Sequence, residues 1–93
     1  MSEISEKKVE KRLVDGVESL GGMAIKFPPI FFRGFPDRIV LMPKGQIVFV
    51  ELKRPGETAR KIQDKVHARL RGLGFRVEVL STYEEVDTFI ICL

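Results

Sequence analysis

The sequence predicts an α/β fold: a mixed four-stranded sheet flanked by helices, in the order αβββαβα. Three observations carry this. Apolar residues recur at helical spacing near the start, middle and end of the chain, and short apolar runs with period two lie between them. Pro43-Lys44-Gly45 separates two such runs and suits a three-residue hairpin loop, with proline pre-setting the turn and glycine taking the left-handed position. The third run, the middle helix and the fourth run make a crossover unit, whose strands are parallel and whose hand is right in nearly every case.

Residues 3–20 read as the first helix. Val9, Leu13, Gly16, Val17 and Leu20 share one stripe, and Gly21-Gly22 stops it. Residues 23–27 form a short strand that Pro28-Pro29 ends. The loop that follows runs to Pro36 and carries Ile30, Phe31, Phe32 and Phe35. Packing under the sheet and contact with a second subunit both stand open for these four. The hairpin strands occupy residues 37–42 and 46–53, and residues 54–58 are a loop broken by Pro55 and Gly56. A second helix over 59–73 takes Thr58 as its N-cap and Ile62, Val66, Leu70 and Leu73 as its apolar stripe. The fourth strand covers residues 75–80, with Phe75, Val77 and Val79 on one face. Ser81, followed three residues later by Glu84, predicts a capping box that opens a last helix running to Cys92.

Ninety-three residues suffice for one domain, spanning 1–93, with a small core that a second subunit would help. The net charge of +3 leans weakly toward a polyanionic partner. A lone cysteine excludes an internal disulfide and points to a reducing compartment; the apolar neighbours of Cys92 predict a core position. No apolar stretch approaches the ~20 residues that a bilayer span needs. The first residues lack the pattern of a signal peptide. A cytoplasmic protein without a membrane partner is therefore expected.

The hairpin loop places Met42 opposite Gln46, which sets Asp37 opposite Glu51 and puts Lys53 on the same face. Ile39, Leu41, Ile47 and Phe49 lie below them; Val40, Met42, Val48 and Val50 make the other face. With both faces apolar, these strands should be covered on both sides. Two carboxylates opposed across a strand pair repel each other. A divalent cation between them turns the repulsion into a ligand set, and Mg²⁺ favours one or two carboxylates completed by water and phosphate oxygens. Lys53 would then stand beside the metal to hold a phosphate oxygen or the attacking water, which is the equipment for metal-assisted phosphodiester hydrolysis. A solvated ion cluster, with Lys53 bridging both acids, explains the same spacing.

Gly34-Phe35-Pro36-Asp37, thirteen intervening residues and then Glu51-Leu52-Lys53 resembles the PD-(D/E)xK nuclease signature. Leu20-Gly21-Gly22, Lys26-Phe27, Arg33-Gly34-Phe35-Pro36-Asp37-Arg38, Val50-Glu51-Leu52-Lys53, Gln63 and residues 70–75 follow in order. Together they resemble the virus-type replication-repair nuclease branch, VRR-NUC, above all its short stand-alone phage and bacterial members. The resemblance implies a restriction-endonuclease-like αβββαβ core and Mg²⁺- or Mn²⁺-dependent cleavage of DNA. It also implies kinship with Holliday junction resolvases and a homodimer.

Carried onto this sequence, the resemblance makes Asp37 and Glu51 metal ligands, with the Leu52 backbone carbonyl as a third, and Lys53 the catalytic lysine. It adds an acid on the first helix. Glu10 fits and lies on the inward side of the helical wheel; Glu6, one turn earlier, competes, and a carboxylate serving the helix dipole accounts for either. Gln63 would support the site. The lone His67 has no Cys or second His beside it, so a surface or DNA-facing role is expected rather than zinc. Lys26, Arg33, Arg38, Arg54, Arg60 and Lys61 flank these residues in sequence and are expected to hold the phosphate backbone. Lys7, Lys8, Lys11 and Arg12 fall on the outward side of the first helix, where a solvated face explains them as well as DNA does; for the aromatic loop, a wedge into a DNA branch point stands open beside packing and subunit contact. Two functions stand: a structure-specific endodeoxyribonuclease acting on branched or junction DNA, and a non-catalytic basic DNA-binding module that keeps the fold. The intact Asp37, Glu51 and Lys53 favour the first.

Overall fold

The computed structural model describes residues 5–54, 56–57 and 60–93. The chain runs α1 (Glu6–Ser19), β1 (Met23–Lys26), β2 (Arg38–Met42), β3 (Gln46–Leu52), α2 (Lys61–Gly72), β4 (Arg76–Leu80) and α3 (Tyr83–Ile91). The four strands lie side by side in chain order. β1–β2 and β2–β3 are antiparallel and β3–β4 is parallel, which is the mixed sheet expected. The hairpin register also holds, with Met42 opposite Gln46 and Arg38 opposite Val50. Its loop departs from expectation in one respect: Lys44 joins Gly45 in the left-handed region, at φ 68°. The N-cap expected at Thr58 lies outside the described residues.

One sheet face packs against α1 and α3. Ser5 caps α1 by accepting the Lys8 N–H, and Val9, Leu13 and Val17 are buried one turn apart. They meet Val40, Val48, Val50, Leu52, Leu80, Val86 and Phe89 in the main core. Gly16 lets α1 and α3 approach: a Cβ there would come within 2.9 Å of the Ile90 side chain. Arg12 also makes two bonds to Asp87, at 2.8 and 2.9 Å. That pair is solvent-exposed and screened by water, so it adds little. Each buried Leu, Val or Phe contributes about 1.5–3 kcal/mol, so the apolar stripe holds the two helices together.

α2 covers the opposite face, where Phe49, Leu70 and Val77 are buried against Phe35, Ile39 and Val66. Phe27, Phe35, Phe49 and Phe75 form a row, with successive ring centroids 4.6, 5.4 and 5.4 Å apart. Cover on both sides was the expectation for the hairpin strands β2 and β3, but Ile47 remains exposed, as do Met23 and Ile25 on β1 and Val79 on β4. A single helix roughly 10 Å wide shields only about two strands spaced roughly 4.8 Å apart.

Three further local readings are corrected. The buried line of α2 runs through His67 and Leu70, while Ile62 and Leu73 are exposed. The last helix is capped by Thr82 rather than Ser81. Thr82 Oγ1 accepts the Glu85 N–H, and Glu85 Oε1 accepts from Ser81 and Thr82 N–H. That register turns Val86 and Phe89 into the core and leaves Cys92, at the C-cap, exposed rather than buried. Among the described residues no helix is long and apolar enough to cross a membrane.

Candidate active site

Asp37 stands immediately before β2. Its carbonyl accepts the Phe27 N–H at 2.9 Å, and its carboxylate Oδ2 accepts the Leu52 N–H at 2.9 Å. One residue thus joins three neighbouring strands at the point where the hairpin ladder ends. Gly34 makes that approach feasible. It sits at φ 84°, and a Cβ there would lie 2.8 Å from the Ile62 carbonyl, so only glycine allows the loop to run against the first turn of α2.

Glu51 and Lys53 follow from the period of β3. Both project to the α2 side, and both are buried, at 3% and 8% exposure. The Lys53 N–H donates to the Leu80 carbonyl at 3.0 Å, which extends the β3–β4 pairing to the site. Gln63, in the first turn of α2, links the two. Lys53 Nζ donates to Gln63 Oε1 at 2.7 Å, and Gln63 Nε2 donates to Glu51 Oε2 at 3.1 Å. The Arg60 N–H also donates to Gln63 Oε1, at 3.1 Å, fixing the amide's orientation. Lys53 makes no ion pair with either acid, which removes the bridging cluster considered above.

These groups open onto a cleft of about 490 Å³, lined by Glu6, Asp37, Glu51, Leu52, Lys53, Arg60 and Gln63. Burial pushes the Glu51 carboxyl up to about 8; the Asp37 charge and a hydrogen bond to Asp37 add to the rise, and Lys53 opposes it. Glu6 is raised too, by burial first and then by Asp37 and Glu57. Carboxylates gathered in a half-dry cleft repel one another, and a divalent cation would relieve that repulsion. His67, on the next turn of α2, is buried rather than on the surface, and its imidazole is pushed down by burial and by Arg71.

Residues 5–83 match the VRR-NUC domain family. The chain belongs to the VRR-NUC family. It is 47% identical over 81 residues to "Putative nuclease p44" of Acyrthosiphon pisum secondary endosymbiont phage 1, an alignment covering 87% of each chain. A solved VRR-NUC domain superposes with a TM-score of 0.85 at 33% identity, covering 92% of this chain and 94% of that one. A second, at 16% identity, shares the fold, with a TM-score of 0.73 over 97% and 88% of the two chains.

The other residues expected in the site divide into two groups within this nuclease-family domain. Arg60 lines the cleft. Arg54 is exposed at its edge, 3.9 Å from Glu6 and 4.0 Å from Glu57. Lys26, Arg33 and Lys61 are exposed. Arg38 is not free for phosphate: Nε donates to Glu10 at 2.9 Å and a second nitrogen to the Ala24 carbonyl at 2.8 Å, on the opposite sheet face. Glu10 is therefore engaged away from the cleft, and the acid that α1 brings to the cleft is Glu6. One turn of helix separates them, and only the earlier residue lines the cleft.

The donor set suits a hard divalent ion. Among the described residues no three His, Cys, Asp or Glu side chains form a metal cage. Asp37 and Glu51 instead offer two carboxylates in a cleft that Leu52 also lines, and one or two carboxylates completed by water is a usual ligand set for Mg²⁺ and Mn²⁺. Glu51 Oε1, buried without a partner, fits the same picture.

Proposed function

We propose that this VRR-NUC domain is a Mg²⁺- or Mn²⁺-dependent, structure-specific endodeoxyribonuclease that hydrolyses phosphodiester bonds in branched DNA such as Holliday junctions, acting as a homodimer. The observation that carries the reading is the convergence of Asp37, Glu51 and Lys53 on one open cleft, where burial first and the Asp37 charge second push Glu51 upward. Asp37, Glu51 and the Leu52 carbonyl would hold the cation, with Glu6 completing the acidic rim in place of Glu10. A divalent ion bound there supplies a polarised phosphate and a water of lowered pKa.

The chain's own groups do the rest. The Lys53 ammonium donates to the phosphate oxygens as charge develops on them. Gln63 holds that ammonium toward the cleft and keeps Glu51 turned the same way. Arg60 and Arg54, with Lys26, Arg33 and Lys61 further out, neutralise the DNA backbone without reading bases, which favours selection by nucleic-acid shape. Support for the dimer comes from one apolar surface: Ile30 and Phe31 project into solvent beside a groove formed by Phe32, Phe35, Val66, Leu70 and Leu73. Knob and hole on one chain make an isologous contact self-complementary.

Incubation of a synthetic four-way junction, a splayed duplex and a linear duplex with Mg²⁺, Mn²⁺ or EDTA tests this. Cation-dependent cutting of the branched substrates is expected. Cutting that persists in EDTA or in Lys53→Ala would overturn it, and binding without cleavage under either cation would leave a DNA-binding module.

A further inference from the structure

Among the described residues, two buried side-chain atoms have no hydrogen-bond partner, Glu51 Oε1 and His67 Nε2. They face each other at 3.8 Å. That is too long for a hydrogen bond, whose N···O distance is about 2.9 Å, yet a shift of roughly 1 Å would close it. An unpaired polar atom is costly in the interior, and here each orphan is the nearest remedy for the other.

Helix geometry accounts for the placement. Gln63 and His67 are four residues apart on α2, so their side chains stack over the same part of β3. Gln63 already donates to one oxygen of Glu51, Oε2, at 3.1 Å. The second oxygen is left to His67. The two side chains of one helix thus face the two oxygens of one carboxylate.

Building on the metal-site reading above, we propose that His67 is a positioning residue for the cleft, donating its Nε2–H to Glu51 Oε1 and so fixing which lone pairs Glu51 presents to the cation. A side chain present only for packing would give a different pattern. In a pocket bounded by sheet and helix, Leu or Phe fills such a space without an orphaned nitrogen, and the histidine would then be a burden that its replacement relieves. A donor to a ligating carboxylate, by contrast, is felt in the metal affinity.

Calorimetric titration of metal-free protein with Mn²⁺, paired with melting curves in EDTA, separates the two. His67→Leu is expected to melt at or above the wild-type temperature and to bind Mn²⁺ roughly 10–100-fold more weakly. His67→Gln, which keeps an N–H on a side chain of similar reach, is expected to retain most of the affinity. Should His67→Leu melt below the assay temperature, His67→Met serves the same comparison. Mn²⁺ affinity equal to wild type in a folded apolar variant overturns the role of His67 and leaves the metal site standing. Wild-type protein that takes up no Mn²⁺ overturns both.

Discussion

Arg38 Nε donates to Glu10 Oε2 at 2.9 Å, on the face of the sheet that packs against α1. The pair is partly buried, and the guanidinium is further tied to the Ala24 carbonyl. Glu10 therefore secures α1 to β1 and β2, while Glu6, one turn earlier, reaches the cleft. Glu10→Gln is expected to lower stability by about 1–3 kcal/mol, since a bond to a charged group becomes a weaker neutral one. Its cleavage rate should stay near wild type. Glu6→Gln should reverse the pattern, melting normally and losing on the order of 10–100-fold in cleavage as a rim carboxylate disappears. Paired melting and junction-cleavage assays decide; a rate loss confined to Glu10→Gln would restore Glu10 to the site.

Lys53 can be removed without collapsing its surroundings. Gln63 Oε1 accepts from both Lys53 Nζ and the Arg60 N–H, so it keeps a partner when the ammonium is lost. Lys53→Met, which fills the same space, should leave the fold intact and the Mn²⁺ affinity unchanged or higher, because a positive neighbour of Glu51 has gone. Cleavage should fall by about 10²–10³-fold, the usual cost of losing one donor to a developing negative charge. Single-turnover rates at saturating Mn²⁺ measure this, and a loss confined to Mn²⁺ affinity would contradict it.

Much of this site was legible because strand period and hairpin register are nearly rigid rules. Once Pro43-Lys44-Gly45 placed Met42 opposite Gln46, the shared face of Asp37, Glu51 and Lys53 followed. Helical faces were read less well, because an apolar stripe shows only where hydrophobic residues lie. On α2 the face toward the sheet carries the half-buried Gln63 and the buried His67, two polar residues, so counting apolar positions shifted the reading toward Ile62 and Leu73. The spacing of four between Gln63 and His67 was the available signal, since a glutamine facing the site takes the residue one turn on with it. Glu10 misled for a related reason. Its inward face was read correctly, but its partner Arg38 arrives from a strand 28 residues away. The exposed Cys92 shows the limit of composition: apolar neighbours do not bury a residue at a helix terminus.

Metal-free protein should lose stability as the pH rises from 6.5 to 8. Glu51 is pushed from its ordinary value of 4.5 up to about 8, so the folded chain holds a proton that the unfolded chain has released throughout that interval. Stability then falls with pH and levels off above 8. Below 6.5 the depressed His67 acts in the opposite sense, since there the unfolded chain takes up the proton. Above 6.5 Glu51 is read without that opposition, and the raised Glu6 acts in the same sense as Glu51. A cation displaces the Glu51 proton, so Mn²⁺ should bind more tightly at pH 8 than at 6.5 and should raise the melting temperature more there. Melting in EDTA and in Mn²⁺ at half-unit steps checks both, and Glu51→Gln should flatten the slope. Metal-free stability that climbs from pH 6.5 to 8 would refute the assignment.

The exposed apolar surface makes the last prediction. Ile30 is 84% and Phe31 76% exposed, so neither contributes to the core, and substituting them should change stability by no more than about 0.5 kcal/mol. Yet they adjoin an apolar groove of about 350 Å³ that includes the exposed Leu73. Contiguous apolar surface of this kind marks an interaction site more often than chance exposure does. If two copies pack loop tip into groove, the contact occurs twice by symmetry, and one change weakens it at both places. On the proposed homodimer, Phe31→Ser combined with Leu73→Ser should therefore give a monomer in light scattering while the melting curve of the isolated chain barely moves. The cleft is untouched, so single-strand nicking should persist while paired cuts across a four-way junction are lost. A mass that stays dimeric in the double variant would place the subunit contact elsewhere on the molecule.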